Sequence, residues 1–145
     1  MSYFAAVFAR TPQGWIGDET TLEEVTGVDD LADLMREAAM EALGDPVLLL
    51  AEADDEWFAV ARLDDEGEVR AFLSAARDEG VAALFSQLIG EVAEGEAGGE
   101  AGLLADLGVS AERLGELAER ALPADALLEI AEQAGFGDDF DNLRA

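Results

Sequence analysis

The densest chemistry in this 145-residue chain is four carboxylate clusters: Asp29/Asp30/Asp33, Asp54/Asp55/Glu56, Asp64/Asp65/Glu66 and Asp138/Asp139/Asp141. Grouped carboxylates are the ligands that Ca²⁺ and Mg²⁺ take, yet none of the four has the alternating ligands and central glycine of an EF-hand loop. Adjacent acids in turns and at helix starts are ordinarily solvated or capping groups, so no metal is expected here. Paired carboxylates can also run general acid/base hydrolysis, as in glycosidases. Among 34 acids, however, finding a pair discriminates nothing.

Nucleophiles are scarcer still. The four serines (2, 74, 86 and 110) have no His or Lys to activate them, because the chain contains neither, and all eight of its cations are Arg. The absence of Cys removes disulfides and thiolates. Without His as well, the usual zinc, haem and iron–sulfur ligands are missing together. No glycine-rich phosphate loop of P-loop or Rossmann spacing occurs, so no cofactor is expected. A carboxylate or metal-dependent enzyme therefore ranks below a protein that works without catalysis.

The stretch LLADLGVSAERLGEL (103–117) has the outline of a helix-turn-helix, with Gly108 in the turn and Ser110 opening a second helix. A DNA reader needs a small residue four before the turn glycine, where this chain has Leu104. It also needs a cationic second helix, and the outward residues here are Glu112, Arg113, Glu116, Glu119 and Arg120. A structural helix corner is expected instead. At a net charge of −26 the chain repels phosphate backbones and anionic membranes alike. Its partners should be neutral or basic proteins. The acid excess is spread along the chain, with no basic footprint in either half, so the alternative of an acidic nucleic-acid mimic that blocks a basic groove is weaker than a general protein-interaction role. The candidate partner contacts are Trp15 and Trp57, which would be interface anchors if exposed near one another, and Glu112 and Glu116 on the acid-faced helix. The plainer reading has Trp57 packed in its strand and Trp15 covering a sheet edge.

The elements that must position these residues follow from periodicity. Residues 2–10 are apolar on both alternations, which suits a strand covered on both sides, and TPQG then WIG suggests a hairpin. Helical spacing over 29–43 ends at Gly44 and Pro46. The runs 46–53, 57–63 and 68–73 read as three antiparallel strands, and 74–89 returns to helical spacing broken by Gly80. GEVAEGEAGGEAG (90–102) reads as an acidic, flexible linker. Helical patterns follow at 102–107, 110–121 and 123–134, with Phe136, Phe140 and Leu143 closing a small core. The expected fold class is α+β. An antiparallel sheet of about five strands with covering helices occupies 1–89, an acidic Gly/Glu-rich linker 90–101, and a small all-helical module 102–145. An exposed sheet edge could pair two copies as a homodimer. The N-terminal apolar run is too short to span a membrane and lacks a positive n-region, so a cytoplasmic protein is expected.

Three stretches together, MSYFAAVFART…GW, DDEWFAVARLDDEGEVRAFLSAA and LLADLGVSAERL…LPADALLEIAEQAGFGDDFDNLR, resemble the actinobacterial family of tRNA adenosine deaminase-associated proteins. The resemblance covers nearly the whole chain apart from the linker and lies in order and pattern rather than in a catalytic motif. The lack of Lys and the wealth of Ala, Gly and Arg suit a high-GC actinobacterium. The family's name reflects a gene lying beside that of a tRNA adenosine deaminase, so the resemblance implies an uncharacterised accessory role with that enzyme as the partner. It carries over no functional residues. The deaminase's own zinc signature, H-x-E with P-C-x-x-C, cannot occur in a chain without His or Cys.

Overall fold

A computed structural model of the chain describes residues 3–22, 25–53, 56–64, 67–77, 80–90 and 92–144. In chain order the elements are β1 (Phe4–Thr11), β2 (Gly14–Glu19), α1 (Val28–Ala42), β3 (Val47–Ala53), β4 (Trp57–Leu63), β5 (Val69–Leu73), α2 (Gly80–Ile89), β6 (Gly98–Gly99), a 3₁₀ turn (Ala105–Leu107), α3 (Ala111–Arg120), α4 (Pro123–Ala134) and α5 (Gly137–Arg144). The strands form one antiparallel sheet in the order β2-β1-β3-β4-β5-β6.

Both faces of this sheet are covered, which is why β1 and β3 are apolar on both alternations. One face carries Val7, Leu49, Trp57 and Leu73, packed beneath Leu31 and Met35 of α1 and Phe85 of α2. The opposite face carries Phe8, Leu48, Leu50, Phe58, Val60 and Phe72, packed beneath Leu114, Leu127, Ile130 and Phe140 of the C-terminal helices and Phe136 between α4 and α5. The two layers differ in texture. The α1/α2 face is rich in alanine (Ala5, Ala9, Ala51, Ala59, Ala61), so those helices can approach the strands closely. The C-terminal face is rich in Phe, and Phe8 stacks on Phe136 with ring centroids 4.3 Å apart.

The fold class is α+β as expected, but the sheet has six strands rather than about five. The sixth, Gly98–Gly99, falls inside the stretch expected to be linker. Two glycines carry no side-chain alternation, so a strand made of them leaves no signal of hydrophobic period. They are glycines because of what lies against them. A Cβ on Gly99, whose φ is +101°, would stand 2.3 Å from the carbonyl oxygen of Ala71 and 2.7 Å from Ile89. Gly99→Ala is therefore expected to cost about 2 kcal/mol, from left-handed strain plus overpacking, and urea denaturation at pH 7 checks it. A variant as stable as the wild type would mean that β6 is not held against β5.

Of the helical stretch expected over 74–89, α2 accounts for Gly80–Ile89, and residues 78–79 lie outside the described residues. Ser74 stays with the sheet, its hydroxyl accepting from the Phe58 amide at 2.8 Å and its own amide donating to the Phe58 carbonyl. Ala76 is likewise tied to Gly95 and Glu96 by backbone hydrogen bonds. The helical pattern expected at 102–107 closes as a turn and a single 3₁₀ turn. Gly108, at φ +104°, ends that turn because an added Cβ would meet the Gln133 carbonyl of α4 at 2.9 Å. The helix-turn-helix outline thus has only one helix. Ser110 caps it by accepting from the Arg113 amide at 3.1 Å, and Leu114 and Leu117 point inward.

Candidate partner-binding surface

The two tryptophans lie on opposite faces of the sheet. Trp57 is buried against Phe85, with centroids 6.1 Å apart, in the α1/α2 layer. Trp15 is half-buried on β2. Its indole donates to the Ala134 carbonyl at 3.1 Å and its ring packs 4.7 Å from Phe136, so it staples the sheet's edge strand to the C-terminal helices. They do not form a joint anchor. Glu112 is exposed in the first turn of α3, and Glu116 lies 3.9 Å from the Arg113 guanidinium. Arg113 is chiefly occupied by Glu129 of α4, and this pairing holds the Glu129 carboxyl below its usual range.

Of the four carboxylate clusters, Asp54/Asp55 and Asp65/Glu66 lie outside the described residues. In the first cluster, Asp30 accepts from both the amide and the hydroxyl of Thr26, which lowers its pKa, and Asp33 pairs with Arg36 at 3.1 Å. Asp138 and Asp139 occupy the first turn of α5, where a carboxylate complements the helix dipole. Among the described residues, no three acidic side chains are placed to hold a metal ion.

Asp64 instead belongs to a charge clasp that joins the sheet to the C-terminal layer. Arg62, on the same face of β4 as Phe58 and Val60, is 6% exposed. It donates to Asp64 at 2.9 Å, to the Leu103 carbonyl at 2.7 Å, and with both terminal nitrogens to Asp106 at 2.6 and 2.8 Å. The Asp106 hydrogen bonds outweigh desolvation and keep Arg62 charged, and Arg62 in turn lowers the Asp106 pKa. Arg70 faces Arg62 across the β4–β5 ladder, a like-charge pair that Asp64 bridges by accepting from both. Glu100 completes the chain of alternating charge through Arg70. Sequence reasoning missed this clasp because an arginine in a strand ordinarily reads as a solvated charge.

Among the described residues Arg36, Arg62, Arg70 and Arg113 are thus held in ion pairs, while over the whole chain acids outnumber arginines 34 to 8. Self-repulsion at −26 should be relieved by screening. Raising NaCl from about 20 to about 300 mM is expected to raise Tm by several degrees in scanning calorimetry. A fall in Tm would mean that the internal ion pairs outweigh the repulsion.

A groove of about 310 Å³ runs between β2 and α1. Its floor is apolar, built from Val7, Ala9 and Ile16 of the hairpin and Leu34, Ala38 and Ala42 of α1. Ile16 is 53% exposed there, one of few large apolar side chains left to solvent. The groove exists because α1 packs on β1, β3 and β4, and α2 on β4 and β5, which leaves β2 at the open margin of this layer. On the other face β2 is met by α5 and Trp15's anchor. Leu34, Ala38 and Glu41 recur at helical spacing along α1, a pattern legible in the sequence. That the hairpin stands beside this flank is not.

No helix among the described residues is long and apolar enough to cross a membrane. Comparison with curated proteins and with solved structures returns no match. A family model described as Rv3753c-like tRNA adenosine deaminase-associated protein matches residues 3–137, a span reaching from the first strand to the start of α5. The chain therefore belongs to the Rv3753c-like tRNA adenosine deaminase-associated protein family.

Proposed function

We propose that this protein is a non-catalytic accessory factor that acts through protein contacts, with a tRNA adenosine deaminase as its partner. The observation that carries this reading is the surface. Acids outnumber arginines 34 to 8, and among the described residues Arg36, Arg62, Arg70 and Arg113 are tied into ion pairs, so the exterior offered to partners is strongly anionic. A tRNA-binding enzyme must carry basic surface for its substrate, and complementary potentials steer and orient such a pair. The family's printed description supports the association. The composition supports the absence of catalysis, since no imidazole, thiol or lysine amine is present to act as base or nucleophile.

Light-scattering chromatography of the protein alone and mixed with its host's tRNA adenosine deaminase, at low and moderate salt, tests the reading. A co-eluting complex that weakens as salt rises is expected. Separate peaks at both salts, with unchanged tRNA editing on deletion of the gene, would sink this partner. The same run of the free protein gives its oligomeric state.

A further inference from the structure

We infer that the groove between β2 and α1 is the docking site for a basic amphipathic helix of a partner protein. This inference rests on the reading that the protein works through protein contacts. Among the described residues no helix of the α1/α2 layer lies over the edge strand β2, and the groove is the space that such a helix would fill. Its floor supplies the apolar contact. Ala38 and Ala42, one turn apart on the flank of α1, are small enough to let a second helix lie at the roughly 8–10 Å spacing of packed helices. The flank from Leu34 to Ala42 is about 12 Å long at 1.5 Å per residue, which matches two to three turns of an incoming helix.

The rim fixes the occupant's charge. Asp18 stands on the β2 side, opposite Val7 in the ladder, and Glu37 and Glu41 on the α1 side, all three exposed, and among the described residues no arginine lines the groove. A helix with leucine-like residues at i, i+3, i+4 and i+7 would seat them on Ile16, Leu34 and Ala38, and Lys or Arg on both of its flanks would reach the three carboxylates. An acidic or neutral helix would leave those carboxylates facing like charge or nothing. A second copy of this chain, itself at −26, is disfavoured for the same reason.

The probe is a designed, fluorescein-labelled helix of about 16 residues with a Leu stripe and Arg flanks. It would be titrated by anisotropy into the full chain at about 0.15 M salt, with amide shifts mapped by NMR. Shifts are expected to concentrate in 16–20 and 34–42. Ala38→Trp, which fills the groove without changing charge, should weaken binding at least about tenfold. Glu37→Gln/Glu41→Gln should weaken it about fivefold and is surface-exposed, so it keeps the test open if Ala38→Trp folds poorly. Glu94→Gln/Glu96→Gln removes the same charge from an exposed loop beside the opposite sheet edge and should change nothing. Equal loss in this last variant, shifts scattered over the acidic surface, or a free-protein dimer that Ala38→Trp splits would each overturn the proposal. Titrating the deaminase separately distinguishes the two readings. Failure of the wild type to bind the enzyme removes that partner and leaves the peptide result standing, whereas peptide binding elsewhere removes the groove whatever the enzyme does.

Discussion

Arg62→Ala is expected to cost about 3 kcal/mol in urea denaturation at pH 7, far more than removal of a surface arginine. The side chain makes four hydrogen bonds to three partners while 6% exposed, and two of those partners, the Leu103 carbonyl and Asp106, belong to the segment that starts the C-terminal layer. Truncation leaves the Leu103 carbonyl without its donor and opens a void beside Leu48, the cross-strand neighbour on β3. Asp64 and Asp106 are exposed enough to be re-solvated, with side chains 31% and 62% accessible, so the penalty falls on the carbonyl and the void rather than on stranded carboxylates. Arg62→Met keeps the packing of the stem and should cost about half as much. Arg62→Lys should resemble Arg62→Met, because an ammonium cannot fork two carboxylate oxygens and reach a carbonyl at once.

Acid provides a second reading of the same clasp. Asp106 is held below the ordinary aspartate value of 3.8, first by the Arg62 hydrogen bond. Its contribution is therefore present above about pH 4 and lost as pH falls through the lower folded-state value. The stability gap between the wild type and Asp106→Asn should narrow on going from pH 7 to about pH 3, since the wild type is then losing what the variant never had. A gap constant over that range, or Arg62→Ala within about 0.5 kcal/mol of the wild type, would show that the clasp contributes nothing.

How much of this was legible follows residue by residue. The double-sided apolar pattern of β1 and β3 announced a sheet covered on both faces, and the caps and glycines around α1, α3 and α4 gave helix bounds within a residue or two. What covers each face was not legible, because Phe136 and Phe140 lie more than a hundred residues from Phe8 and Phe4, and no local period encodes that meeting. Arg62 carried one usable signal. In WFAVARL it falls on the same parity as Phe58 and Val60, so an inward-facing register for that strand already places an arginine indoors, where it must find acids. The groove was illegible for the opposite reason. It lies over an edge strand, β2, that no helix among the described residues covers, and no local period marks a place left uncovered.

Ending the chain after residue 101 is expected to abolish cooperative folding, although the sheet and both of its other helices would remain. Phe8, Leu48, Leu50, Phe58, Val60 and Phe72 would be left on one open face. At about 1.5–3 kcal/mol for each buried side chain, exposing six of them removes roughly 9–18 kcal/mol, as much as the whole stability of a typical domain. The truncated chain should bind a hydrophobic dye, lose its near-ultraviolet circular dichroism and associate. The two tryptophans give the matching test in the intact protein, because they sit in opposite layers. Trp57 reports the α1/α2 layer, and Trp15, bonded to the Ala134 carbonyl, reports the C-terminal one. In the single-tryptophan variants Trp15→Phe and Trp57→Phe, fluorescence unfolding should follow the same denaturant dependence as far-ultraviolet circular dichroism on each variant. If the Trp15 signal instead melted first while the sheet persisted, the helices after residue 101 would be a separable unit. The truncated chain would then fold, and the Arg62 clasp would be the hinge between two parts rather than a tie within one.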